Sequence, residues 1–311
     1  MWSIGIDLGG TKIEAAKVSS EGNVIERLRT PTDVLDGPEA VEEQIEELVR
    51  QLQNHEQSKA KGLGIGIAAQ IDKKTGEILS APNLDWKNVP LKERLEKKLK
   101  LPVAITNDVR AAAWGEWLHG AGKGADDMIC VFIGTGIGGG IVSGGRMLTG
   151  FSNTAGEIGH MVIRMGGRKC SCNNQGCWEA YGGGWAMAEI AQEAVRKHPE
   201  EGAFLKGLSD KPTGKELTEG FHKNDPLSLT IIESVIQAHI TGFTNLVNAF
   251  NPEKLIVGGG VVEHFPELLN YIEEGVRRYA LQAAVSNVVF QRAKLKNDSG
   301  VVGAASLLFL H

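Results

Sequence analysis

The chain has 311 residues, 42% of them apolar, which is enough to bury a large core and more natural for two domains than for one. Its 33 basic and 38 acidic side chains give a net charge of -5, so it lacks the basic footprint of a nucleic-acid binder, and no nucleic-acid partner is expected. Apolar runs are short and broken by glycine, far from the roughly 20 residues of a membrane helix, and the N-terminus has no signal-peptide pattern; a cytoplasmic protein without a membrane partner is expected.

Residues 2–8 run apolar into Gly9-Gly10-Thr11, and Lys12 to Val18 alternates up to a Ser19–Asn23 turn, the pattern of a hairpin. A third strand is expected at about 24–30. A helix follows over about 38–54, where Val41, Ile45, Leu48 and Leu52 recur at helical spacing behind Pro38. Gly62 to Ala69 reads as a buried strand, Leu91–Leu99 as a charged helix, Pro102–Thr106 as a strand and Asp108–His119 as a helix.

Val131 to Ile141 repeats the strand, glycine turn and returning strand of Ile4 to Ile13, which points to duplicated α/β lobes around a nucleotide cleft. After an insertion at 157–179, helices are expected at about 178–197 and 226–249 and a strand at Lys254–Val257. Gly258-Gly-Gly260, a helix at about 265–281, a strand near 287–291 and a last helix from about 300 complete the chain. The expected division is 1–118 for a smaller N-terminal lobe and 119–299 for a larger one, with 300–311 packing back onto the first.

Asp7 at a strand end precedes a turn whose backbone amides no side chain shields, which suits phosphate and magnesium; the plainer reading is an ordinary glycine hairpin. Gly134-Thr-Gly-Ile-Gly-Gly-Gly140 offers a second such turn, with the Thr135 hydroxyl as a further donor, and two turns suggest a polyphosphate ligand. The same glycines satisfy G-x-G-x-x-G. They lead into Ile141-Val142, a strand rather than the helix that a dinucleotide fingerprint opens, so a dehydrogenase is rejected. Asn107-Asp108 follows a strand and begins a helix. Capping explains the pair, and so does a carboxylate placed to take a proton from an attacking hydroxyl.

His160 with Cys170, Cys172 and Cys177 supplies one imidazole and three thiols, a tetrahedral donor set for zinc. Four protein ligands leave no open position, so the ion is expected to be structural and to brace the loop that presents Glu157 and Glu179; the alternative is unligated cysteines in a loop. Cys130, in an apolar run, reads as a buried small hydrophobe. His55, His119, His198, His222, His239, His264 and His311 read as surface or core residues.

At these residues the chain resembles the ROK family of repressors, open-reading-frame proteins and sugar kinases. The resemblance rests on Asp7-Leu-Gly-Gly-Thr-Lys12, Asn107-Asp108, the 134–139 glycine turn, Glu157-x-Gly-His160, the cysteine loop ending in Glu179, and Gly258-Gly-Gly260. It implies an actin-like ATPase (ribonuclease H-like) fold and an ATP-dependent hexose kinase, with Mg2+ beside the phosphates and structural Zn2+. It implies Asp108 as the base on the sugar's 6-hydroxyl, and Asn83, Asn107, Glu157, His160 and Glu179 on the other hydroxyls. Asp7, Gly9, Gly10, Thr11, Lys12, Thr135 and Gly136 would serve the phosphates and their metal, and Gly258, Gly259 and Gly260 the adenosine.

The cysteine loop looks most like that of the glucose-phosphorylating members, with N-acetylmannosamine, N-acetylglucosamine, fructose and allose as alternative sugars. Asp7 stands too near the N-terminus for a preceding DNA reader, so an enzyme is expected rather than a repressor or a silent sugar sensor. The resemblance also implies a homodimer or homotetramer. One departure is Asn173, where the family has glycine; asparagine tolerates a left-handed backbone, so the turn is expected to survive.

Overall fold

The computed structural model describes residues 1–53, 60–198, 203–208 and 211–309, so His55 and His311 lie outside the described residues. The chain forms two compact units: Met1–Asp126, Gly140–Gly156 and Lys294–His311 make the first, Asp127–Gly139 and Glu157–Ala293 the second. The first unit therefore takes the chain back twice, whereas the sequence division returns only the last helix.

The first unit opens with the meander β1 (Trp2–Leu8), β2 (Lys12–Ser19) and β3 (Val24–Pro31). Helix α1 (Gly37–Gln53) buries Val41, Ile45, Leu48, Val49 and Leu52, the stripe whose spacing predicts it. Strand β4 (Leu63–Ile67) is buried throughout, as a central parallel strand should be. Three short strands that the sequence reading lacks, β5 (Gln70–Ile71), β6 (Ile78–Ala81) and β7 (Trp86–Val89), then form a small antiparallel sheet. Helix α2 (Leu91–Leu99), strand β8 (Val103–Asn107) and helix α3 (Asp108–Leu118) follow.

The main sheet has the order β3-β2-β1-β4-β8. Its parallel register sets Asp7 beside Gly66 and Gly66 beside Thr106, so Asp7 and the Asn107-Asp108 pair emerge at the same end. That is the carboxyl end of parallel strands, where open α/β sheets place their ligands.

The second half begins with β9 (Met128–Ile133), β10 (Ile137–Ser143) and β11 (Arg146–Met147). Helices α4 (Glu179–Gly182), α5 (Gly184–Lys197), α6 (Ala203–Lys206), α7 (Gly214–His222) and α8 (Pro226–Phe250) follow. Strand β12 (Lys254–Gly258), helices α9 (Gly260–His264), α10 (Leu268–Tyr279) and α11 (Gln282–Val285), and strand β13 (Val289–Arg292) come next. The sheet order β11-β10-β9-β12-β13 repeats that of the first sheet, which is the duplication suggested by the two glycine turns.

Two expected helices differ in the structure. The helix over 178–197 breaks at Gly183, whose backbone is extended (φ -71, ψ 150). The helix expected over 265–281 starts at Leu268, because Pro266 cannot continue α9 into α10. Helix α7, also absent from the sequence reading, begins with a capping box: the Thr213 hydroxyl accepts from Lys215 N, and Glu216 returns to Thr213 N.

Helix α12 (Ser299–Ser306) closes the first unit, packing on β1, β4 and α3. The approach is backbone to backbone. A Cβ on Gly5 would lie 1.9 Å from Val301 O, one on Gly64 1.8 Å from Ala304 O, and one on Gly303 1.7 Å from Ala111 O. The Glu116 carboxylate, fully buried, fastens the segment entering this helix by accepting from Lys294 N, Leu295 N and the Ser299 hydroxyl.

Gly303→Ala should therefore destabilise the protein by about 3 kcal/mol, the upper range for overpacking, because the added methyl meets backbone that cannot rotate away. The urea unfolding midpoint measures this, and an unchanged midpoint would contradict the close approach.

Candidate active site

The first unit gathers two carboxylates. Asp7 stands one residue before the end of β1, and burial, then the charges of Asp108 and Glu14, raise its pKa from 3.8 to about 6 against a lowering by Lys12. Burial likewise raises Asp108, which opens α3. One Asp108 oxygen, Oδ1, accepts from Val109 N at 2.9 Å. The neighbouring Asn107 caps α3, its Oδ1 accepting from Arg110 N at 3.1 Å. Capping therefore accounts for the Asn107 side-chain oxygen, and the half-buried Asp108 carboxylate stands at the sheet's carboxyl end.

The 9–12 turn is closed by Gly9 N donating to Lys12 O and held by the Thr32 hydroxyl on Gly9 O. Gly10 lies so close to Asn83 that a Cβ there would sit 2.5 Å from Asn83 O, so Asn83 borders this turn. Lys12 is exposed and pairs with Glu14 at 3.2 Å, and Thr11 is exposed as well. Arg110, reaching from α3, donates to Asn153 Oδ1 and to the carbonyls of Asn153 and Ala155, which fixes the loop ahead of Glu157.

The second unit gathers the rest. Its 134–137 turn is gripped by the segment around α4: Gly184 N donates to Gly134 O, Trp185 N to Thr135 O, and Ile137 N to Glu179 Oε2 at 2.8 Å. Glu157 leads a single helical turn, 158–160, and Gly159 abuts Ile137, where a Cβ would lie 2.0 Å from Ile137 O. Glu157, His160, Glu179, Thr135 and Gly136 are thus brought into one neighbourhood.

A cavity of about 430 Å³ adjoins the same turn. Gly134, Thr135, Trp185, Thr213, Lys215, Thr218, Gly260 and His264 are among its walls. Gly260 reaches it. Gly258 ends β12 against Phe132, and Gly259 (φ 97) passes against Ile133. Trp185, Thr213, Lys215 and Thr218 carry no site motif in the sequence, and His264 lacks a metal-like context there. The one available signal was the capping-box spacing Thr213-x-x-Glu216, which marks a helix start rather than a ligand.

The ligand atoms of His160, Cys170, Cys172 and Cys177 all lie within 4.8 Å of one another. His160 Nδ1 to Cys170 Sγ is 3.6 Å, and Cys172 Sγ to Cys177 Sγ is 3.7 Å. A tetrahedral zinc with Zn–S of about 2.3 Å and Zn–N of about 2.1 Å has edges of about 3.6 to 3.8 Å, which these two distances match, and the donor chemistry of the set fits the ion. Burial and the adjacent Cys172 and Cys170 sulfurs push the Cys177 thiol up to about 12, so Cys177 needs a cation beside it to act as a thiolate. Asn173 adopts the left-handed conformation (φ 67) and donates to Cys170 O, which is how the loop turns without glycine.

These features match a known family over nearly the whole chain: the ROK family model spans residues 3–309. The chain belongs to the ROK family. It is 38% identical to a glucokinase of Halalkalibacterium halodurans over 99% of this chain and 94% of that protein. The crystal structure of a ROK glucokinase from Streptomyces griseus in complex with glucose and AMPPNP is 35% identical, with a TM-score of 0.81 and 99% of each chain covered. A ROK hexokinase from Thermus thermophilus superimposes with a TM-score of 0.86 at 30% identity, over 98% of this chain and 97% of the other. The fold is the actin-like ATPase fold, α/β and duplicated, as its two like-ordered sheets require.

The raised Asp7 has a consequence for this ROK protein's stability. The folded state holds an extra proton between pH 3.8 and about 6, so the contribution from protonated Asp7 is complete below pH 3.8 and lost as pH rises through 6. At neutral pH the buried ionised group costs about 2 to 3 kcal/mol. Asp7→Asn should therefore be about 2 kcal/mol more stable than the parent at pH 8 without ligand, and the gain should shrink toward pH 4. Denaturant midpoints across that range test it; a gain independent of pH would contradict the burial of the charge.

Proposed function

We propose that this protein transfers the γ-phosphoryl group of ATP to the 6-hydroxyl of glucose. The full-length likeness to a glucokinase crystallised with glucose and AMPPNP supports both substrates. The observation that carries the chemistry is Asp108, half-buried, raised by burial and held through one oxygen by Val109 N. Its other oxygen takes the proton as the sugar oxygen attacks phosphorus.

In this reading Asn83, Asn107, Glu157, His160 and Glu179 orient the sugar. Gly9, Gly10, Thr11, Lys12, Thr135 and Gly136 receive the phosphates, and the 430 Å³ cavity with Gly260 in its wall receives the adenosine. Asp7, with its pKa raised to about 6, would hold the magnesium that accompanies the nucleotide, and the cation would favour its ionised form. Phosphoryl transfer asks the protein mainly for positioning and charge stabilisation, so ATP hydrolysis without sugar should be slow. Zinc on His160, Cys170, Cys172 and Cys177 would have no open position, and so would supply rigidity rather than a nucleophile. We place the enzyme in the cytoplasm.

Asp108→Asn keeps the acceptor for Val109 N and removes the base, so turnover should fall by about 100- to 10,000-fold with the fold retained. Parent-like turnover would refute the assignment. A coupled ADP-release assay over glucose, mannose, fructose, allose, N-acetylglucosamine and N-acetylmannosamine should give the highest kcat/KM on glucose; a higher value on an N-acetylated sugar would overturn the substrate. Elemental analysis of freshly purified active protein should find about one zinc per chain, as four closed ligands require.

A further inference from the structure

Glu179 follows the last cysteine of the loop by two residues, yet its carboxylate is turned to the 134–137 turn. Oε2 accepts from Ile137 N at 2.8 Å, while Oε1 accepts from the Ser171 hydroxyl at 3.2 Å and from Trp185 Nε1 at 3.1 Å. The side chain is buried, and the turn comes so near that a Cβ on Gly136 would lie 2.3 Å from Oε2.

Each of the three donors belongs to a different structure. Ser171 sits between Cys170 and Cys172, Ile137 opens β10 out of the turn, and Trp185 is in the first turn of α5 and in the wall of the cavity. Trp185 N and Gly184 N also hold the turn's carbonyls. A carboxylate behind such a turn stays clear of a bound phosphate when donors from its own surroundings occupy both oxygens. A loop held by an ion keeps Ser171 in place, and Ser171 helps keep Glu179 in place.

We propose that Glu179 is a positioning residue for the nucleotide, relaying the metal-held conformation of the 170–177 loop to the 134–137 turn. Metal occupancy then sets nucleotide affinity even when no sugar is present. This rests on the zinc and ATP readings above and extends them: the brace serves the nucleotide side of the site as well as the sugar side.

The test is titration calorimetry of AMP-PNP with Mg2+, without sugar, on zinc-loaded protein, on chelator-stripped protein shown by circular dichroism to stay folded, and on zinc-loaded Glu179→Gln and Ser171→Ala. A hydrogen bond to a charged group contributes roughly a factor of ten or more in an equilibrium constant, so stripping and Glu179→Gln should each weaken AMP-PNP binding about tenfold. Glutamine cannot accept from all three donors, since its amide nitrogen meets one of them as a second donor. Ser171→Ala, which leaves all four metal ligands, should weaken it about threefold. If stripped protein unfolds, the two zinc-loaded variants decide.

Equal AMP-PNP affinity in all the folded proteins, or a Glu179→Gln variant that loses only glucose affinity, overturns the inference while leaving the zinc and ATP readings intact. Parent protein that binds AMP-PNP but contains no zinc overturns the metal reading and this inference with it.

Discussion

The first unit depends on one contact, the seating of α12 on β1, β4 and α3 with no side chain between the backbones. Gly5, Gly64, Gly115 and Gly303 lie where any Cβ would collide with the facing backbone. Such approach gains dispersion contact along the whole helix and tolerates nothing larger than hydrogen at those points. It also joins the two ends of the sequence, since the Ser3 hydroxyl donates to Ala305 O and Glu116 holds the entry to the helix. With α12 in place, the carboxyl end of β1 is covered on one side, and Gly300 stands against the Asp7 carboxylate.

That covering adds to the burial of Asp7. Asp7 and Asp108 are withdrawn from water and raised by it, and Asp108 adds its charge to the rise of Asp7. A pair of carboxylates in that state is poorly satisfied without a cation and a proton donor, which suits a site that receives a magnesium nucleotide and a hydroxyl. The second unit handles its buried carboxylate in the opposite way: Glu179 has three donors of its own. The first arrangement stays open to chemistry, and the second builds a rigid wall.

Much of this was legible in the chain. The apolar run of 2–8, the alternation of 12–18, the stripe of α1 and the cysteine spacing each obey a local rule, and their elements and donor set lie where those rules put them. The strands β5 to β7 were not legible, because segments of two to four residues carry too little period to register. The break at Gly183 was hidden for another reason: the residue is packed against Glu179 and Thr135, a tertiary contact that no local pattern records.

By itself the sequence determined the duplicated α/β pattern, two glycine turns, a carboxylate after β8 and a set of one histidine and three cysteines with metal-donor chemistry. These are short-range features, written in periodicity and spacing. Tertiary structure alone decided that Glu179 faces the 134–137 turn, that Trp185, Thr213 and Lys215 share a cavity with Gly260, and that residues 140–156 belong with the first unit. Those outcomes depend on which surfaces meet across tens to hundreds of residues, and such meetings are selected by packing and by the pairing of buried polar groups rather than by any local preference.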